Sequence, residues 1–240
     1  MPKIYSIEGN IGSGKSTLIK FMKKNVKWFK HRKIIYLQEP VKTWETFTDG
    51  KLNIIEKFYE NQKEWAFSFQ MMAYISRISQ LKKTVQKYPQ SSYIIITERC
   101  IETDKNVFAK MLHDDDKIHP INYQIYLKWF NEFVYDLPIQ SYIYLKTEPE
   151  ICLQRIIKRD RKGETISLDY LKKCHSYHND WLDKKNNKLV IDVTQKMSVE
   201  LFNIWVNDII EYINTSNYIG NDKKNEELPN NTILTSNHFC

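Results

Sequence analysis

Residues 9–16 of the chain read Gly-Asn-Ile-Gly-Ser-Gly-Lys-Ser, the spacing G-x-x-x-x-G-K-S that wraps a backbone loop around a polyphosphate. Gly9, Gly12 and Gly14 let the amides of the loop, those of Asn10, Ile11 and Ser13 among them, turn inward toward phosphate oxygens. Lys15 reaches the outer phosphates, the Ser16 hydroxyl can hold Mg2+, and the helix that follows through Thr17 adds the partial positive charge of its N-terminus. A nucleoside triphosphate, ATP or another, is therefore expected as phosphate donor. The acceptor stays open, because GTPases, helicases and small-molecule kinases all use this loop.

Other residues bear on the acceptor. Glu39 follows a run rich in β-branched and aromatic residues, and a carboxylate there can take the proton from an attacking hydroxyl. Glu98-Arg99 closes a similar run. A motor ATPase would place an acidic pair at that point; here Glu98 can help hold hydrated Mg2+, and Arg99 can stabilise charge developing on the transferred phosphoryl group. Arg155, Arg159 and Arg161 cluster with Lys158 and Lys162 at the end of a helix expected to begin near Pro149. Residues 155 and 159 share a helical face, where like charges repel by a few tenths of a kcal/mol unless an anion intervenes. A basic cluster of this kind beside a phosphate loop reads as a lid over the triphosphate. Gln70, Ala73 and Arg77 also share a face, at spacings of three and four. Gln70 offers a donor and an acceptor to the edge of a base, Ala73 leaves space, and Phe69 and Phe108 can pack against a ring.

Five runs are expected to form the strands that carry these groups: 3–8, 33–38, 93–98, 141–146 and 188–193. Segments of helical periodicity lie between them. The alternation predicts an α/β fold of the P-loop kinase type, a five-stranded parallel sheet flanked by helices on both faces, with the arginine-rich lid above it. In such sheets the ligand crevice lies at the carboxyl ends of the strands, which aims Glu39 at the chemistry. The longest helix is expected over 61–88, stopped by Pro89. After Tyr218 the composition turns to Asn, Lys, Glu, Thr and Ser with no apolar period. One kinase domain over 1–217 and a disordered tail over 218–240 follow.

Hydrophobic residues at 42% and charged residues at 27% exclude a wholly disordered chain. The net charge of +7 suits an anionic ligand without choosing between nucleotide, nucleic acid and membrane. No interleaved platform of aromatic and basic residues points to nucleic acid, and no apolar run approaches ~18 residues, so neither nucleic acid nor membrane is expected as a partner. Cys100, Cys152, Cys174 and Cys240 are widely separated, and His175 and His178 have no nearby cysteine with which to form a zinc site. Reduced thiols and a first strand at Lys3, with no leader before it, predict a cytoplasmic protein.

Together, GNIGSGKST, QEPVKTW, FSFQMMAYISR, TERCIETDKNVF and RIIKRDRKGE, followed by LDYLKKCHSYHNDWL, resemble the deoxyribonucleoside kinase family of deoxycytidine, deoxyguanosine and mitochondrial thymidine kinases. The likeness spans roughly residues 3 to 213. It implies a deoxyribonucleoside substrate whose 5′-hydroxyl meets Glu39 as general base, with Arg99 in support and Arg155, Arg159 and Arg161 as the lid. It implies that Tyr59 and Glu164 hold the sugar 3′-hydroxyl and that Trp44, in the QEPVKTW segment, lines the substrate. Arg77 and Asp104 match the charged pair of the deoxycytidine and deoxyguanosine kinases, which implies preference for deoxycytidine, deoxyadenosine or deoxyguanosine over thymidine. A homodimer through helices flanking the active site is implied as well. The chain departs from the family after its last strand. Lys196 and Met197 stand where deoxycytidine kinase has an acidic residue and an aromatic in its donor-base loop, which leaves the choice between ATP and other triphosphates open.

Two rivals remain. A nucleoside monophosphate kinase shares loop, sheet and lid but needs a basic site for the acceptor phosphate, where Glu39 and Glu164 would repel one. A non-catalytic subunit of the same fold has no need to keep Lys15, Ser16, Glu39 and Arg99 together.

Overall fold

The computed structural model describes residues 2–133 and 139–219. Its strands are β1 (Lys3–Glu8), β2 (Trp28–Phe29), β3 (Arg32–Leu37), β4 (Tyr93–Glu98), β5 (Ser141–Lys146) and β6 (Lys188–Asp192). Its helices are α1 (Lys15–Asn25), α2 (Val41–Trp44), α3 (Ile54–Glu60), α4 (Gln62–Lys87), α5 (Ile101–Thr103), α6 (Lys110–Asp114), α7 (Pro120–Phe133), α8 (Pro149–Arg159), α9 (Leu168–Leu182) and α10 (Val199–Ile219), with a π-helical turn, Asp104–Ala109, between α5 and α6.

The sheet runs β2-β3-β4-β1-β5-β6. Every pairing is parallel except β2 with β3. The expected wholly parallel, five-stranded sheet is therefore corrected to six strands, mostly parallel. The extra strand is an edge hairpin of two residues, turned by Lys30 at φ +52° and too short to leave an alternating pattern in a lysine-rich stretch. The five expected strands occur within a residue of their predicted ends.

Residues that alternate along β1 serve different layers. Tyr5 and Ile7 enter a core with Leu18, Met22, Trp205 and Ile209, from α1 and α10. Ile4 joins Leu81 of α4 and Ile95 of β4 on the opposite side. Helices thus cover both faces, and parallel strands deliver all their carboxyl ends to one rim.

Local chemistry sets the helix ends that matter to that rim. Asn53 caps α3, accepting from the Glu56 amide at 3.1 Å while Glu56 accepts from the Asn53 amide at 2.9 Å. Asn61 caps α4, which ends two residues before Pro89. Pro149 opens α8. The last helix continues to Ile219; the rest of the expected tail, 220–240, lies outside the described residues. No helix among the described residues is long and apolar enough to cross a membrane. Cys100, Cys152 and Cys174 are buried free thiols, and Cys240 is outside the described residues.

Candidate active site

A cleft of about 1300 Å3 opens along the rim. Its floor is the loop from β1 to α1. Gly12 (φ +81°) and Gly14 (φ +102°) hold conformations that L side chains rarely adopt; a Cβ on Gly12 would also lie 2.5 Å from the Cys152 backbone carbonyl, whereas one on Gly14 would meet only the movable Met197 methyl. Asn10 turns away from the cleft, donating to the Leu171 carbonyl at 2.9 Å and accepting from the Ile11 amide at 2.8 Å. Lys15 is buried and folds back, donating to the carbonyls of Gly9 at 2.9 Å and Asn10 at 2.6 Å and to the Ser13 hydroxyl at 3.4 Å. Burial, with the nearby Arg99 charge adding to it, lowers its ammonium to about 7. The Ser16 hydroxyl donates to the Glu98 carboxylate. Two adjoining hard oxygen donors beside a phosphate loop fit Mg2+. Ile11 and Thr17 line the wall beside them.

The acceptor half is an interlocked set of charges. Glu39, just past β3, receives Arg99 at 2.7 Å and Arg77 at 3.0 Å, both on Oε1. Burial alone would raise its carboxyl, but Arg99, Arg77 and Lys15 outweigh burial and hold it down at about 2. Arg77, on α4, also donates through Nε to Asp104 at 2.9 Å and through Nη1 to the Glu98 carbonyl at 2.8 Å. Burial raises the Asp104 carboxyl, with the Arg77 charge opposing it. Arg99 sits in the left-handed region at φ +61°, its amide on the Ile7 carbonyl at 3.0 Å and its guanidinium 5.0 Å from the Phe108 ring centroid. A non-glycine residue held there costs of order 1 kcal/mol or more, which the surrounding contacts offset.

Beside these charges lies an apolar slot. Phe69 stacks on Phe58 at 4.5 Å and meets Trp44 edge-on at 5.8 Å, while the Trp44 indole donates to Ser76 at 2.8 Å. Ala73 is buried at the same wall. Gln70 reaches into it from α4 at 2% exposure, and its Oε1 is buried with no partner among the described residues. A buried amide oxygen without a donor is costly, which marks it as a place where a ligand donor belongs.

The basic segment closes the opposite end. Arg155 and Arg159, expected side by side, take different partners. Arg155 donates to the carbonyls of Ser13 (3.2 Å), Val193 (2.7 Å) and Gln195 (2.9 Å), tying the phosphate loop to the loop after β6. Arg159 pairs with Glu164, and Arg161 approaches Glu164 at 3.7 Å. Tyr59 faces the same cleft, its phenol raised by burial and then by the negative charge of Glu164.

Comparison with known proteins decides the family. The family model for deoxynucleoside kinases matches residues 5–217. The chain belongs to the deoxynucleoside kinase family. The kinase is 37% identical over 188 residues to a fowlpox virus protein named as a probable deoxycytidine kinase, covering 77% of this chain and 73% of that one. It is 30% identical to the mitochondrial deoxyguanosine kinase of Xenopus laevis, covering 84% and 81% of the two chains. With human deoxycytidine kinase it shares 31% identity over 82% of each chain.

Some cleft residues of the kinase lie outside the sequence-based set. Tyr170, Ile55 and Phe58 line it, the Tyr170 phenol raised well above its ordinary range by burial. The Ser167 cap, which accepts from the Tyr170 amide at 3.2 Å, is a readable signal for the start of α9 but does not say which residues face inward.

Proposed function

We propose that the protein transfers the γ-phosphate of ATP, or of another nucleoside triphosphate, to the 5′-hydroxyl of a deoxyribonucleoside, preferring deoxycytidine, deoxyadenosine or deoxyguanosine over thymidine. The observation that carries this is the unpartnered Gln70 Oε1 in a slot shared with the Arg77–Asp104 ion pair, opposite a phosphate loop. A base stacked near Phe69 and Phe108 presents an amino group to Gln70, and the charged pair narrows the space a thymine methyl needs. Tyr59 and Glu164 hold the sugar. Both arginines on Glu39 take Oε1, which leaves Oε2 for the hydroxyl proton. At about 2 the carboxyl of Glu39 is ionised at neutral pH and needs no prior deprotonation. Its two anchors orient it, and orientation supplies much of the catalysis in phosphoryl transfer. Arg99 stabilises charge developing on the phosphoryl group, and Lys15 leaves the loop carbonyls for the phosphates. Ser16 and Glu98 would hold Mg2+, which neutralises donor phosphate charge when bound. Arg155, Arg159 and Arg161 act as the lid.

The unit is a single kinase domain that includes α10, working in the cytoplasm as a homodimer. Ile75 of α4 and Ile121, Ile125 and Trp129 of α7 are exposed on two helices in mutual contact, an apolar face suited to a second copy. Light scattering should find twice the monomer mass.

The deciding experiment compares kcat/KM for the four natural deoxyribonucleosides, in the parent and in an Arg77→Met, Asp104→Ala double variant. Preference for a base bearing an amino group in the parent, with thymidine activity gained in the variant, supports the reading. A parent that prefers thymidine refutes the base-reading argument, and faster phosphorylation of TMP or dCMP than of any nucleoside refutes the acceptor class.

A further inference from the structure

Glu8 closes β1 one residue before the phosphate loop, is fully buried, and has no ion-pair partner among the described residues. Each carboxylate oxygen takes a hydroxyl instead: Ser6 donates to Oε1, and Thr103 donates to Oε2 at 2.6 Å. Ser6 and Glu8 alternate with Tyr5 and Ile7, so they point away from the α1 and α10 layer toward the segment after β4. Thr103 is also fully buried, and its hydroxyl accepts from the Cys100 amide at 3.4 Å, so the side chain is held from two directions. The next residue is Asp104, which begins the π-helical turn and grips Arg77. π-Turns are uncommon and concentrate at functional sites. A buried carboxylate is expensive unless directional bonds hold it, and an apolar side chain could fill the same space without fixing a neighbour's position.

We propose that Glu8 is a positioning residue that, through the Thr103 hydroxyl, fixes the start of the π-turn and so sets Asp104 and Arg77 at a defined place over the nucleoside relative to the phosphate loop. The proposal rests on the reading of Asp104 and Arg77 as the groups that face the base.

Three variants separate positioning from stability. Thr103→Val keeps the shape and removes the hydroxyl, Thr103→Ser keeps the hydroxyl, and Ser6→Ala removes the bond to the other oxygen of the same carboxylate without touching the link to Asp104. Thr103→Val should raise KM for the preferred deoxyribonucleoside about tenfold and narrow its margin over thymidine, with KM for ATP changed by less than about twofold. Thr103→Ser should return both values toward the parent. Ser6→Ala should lower Tm yet leave the nucleoside KM in place. If Thr103→Val does not fold, Glu8→Gln should show the same nucleoside-specific rise. Equal effects of Thr103→Val and Ser6→Ala on the nucleoside KM, or no rise with Thr103→Val, overturn the proposal alone. An Asp104→Asn variant with the parent's KM and base preference overturns the base-facing reading and the proposal with it.

Discussion

On the acceptor side of the cleft, charges are matched with charges: Glu39 with Arg77 and Arg99, and Arg77 with Asp104, all largely buried. On the donor side, Lys15 and Arg155 rest on neutral backbone carbonyls, and Arg159, which is exposed, pairs with Glu164. A phosphate oxygen outcompetes a carbonyl for a cation, whereas a carboxylate already in a buried pair yields its partner only at high cost. The acceptor half is therefore expected to be preorganised, and the donor half to exchange partners when a triphosphate arrives.

The largest expected effect lies at the centre of the rigid half. Glu39→Gln should lower kcat by about 10² to 10⁴ while changing the nucleoside KM only a few-fold. Because Glu39 is held at about 2, the parent's kcat/KM should show no limb at the ordinary carboxylate pKa; an inflection near 4.5 would mean the pair with the arginines is loose in solution. Next comes stability. Arg77→Met strands Asp104 in the interior and should cost roughly 3 to 5 kcal/mol in denaturant unfolding, part of which the added Asp104→Ala should restore. Smaller again is the proton linked to donor binding. Lys15 sits at about 7 in this form and must be protonated against phosphate. Above that pH, donor binding should take up a proton and weaken by up to about tenfold per pH unit, which calorimetry in two buffers of different ionisation heat would detect. Smallest is Arg159→Ala, expected to cost about 1 kcal/mol or less in stability while raising KM for the donor. If it costs as much as Arg77→Met, the contrast between the halves fails.

Much of this was legible in the chain itself, for identifiable reasons. Four of the five expected strands begin where predicted, because β-branched runs bounded by polar residues and turns leave few alternatives. Helical spacing alone puts Gln70, Ala73 and Arg77 on one face. What stayed hidden depends on distant partners. Nothing near Arg155 says that its guanidinium will meet the carbonyls of residues 193 and 195, some forty positions away. Glu8 ends β1 and Glu39 lies two residues past β3, yet one is sealed beneath hydroxyls while the other faces the cleft, a distinction that no local pattern announces. β2 leaves no signal, because two residues hold no period.

That short strand has a further consequence. A sheet edge presents unpaired amides and carbonyls, an invitation for a strand from another molecule. Here the edge is two residues long, and exposed Lys27, Lys30 and Lys33 surround it, the last directly across from Trp28. Approaching copies would meet crowded like charge at this edge, so pairing through β2 should be disfavoured when the enzyme is concentrated, and less so as added salt screens the lysines.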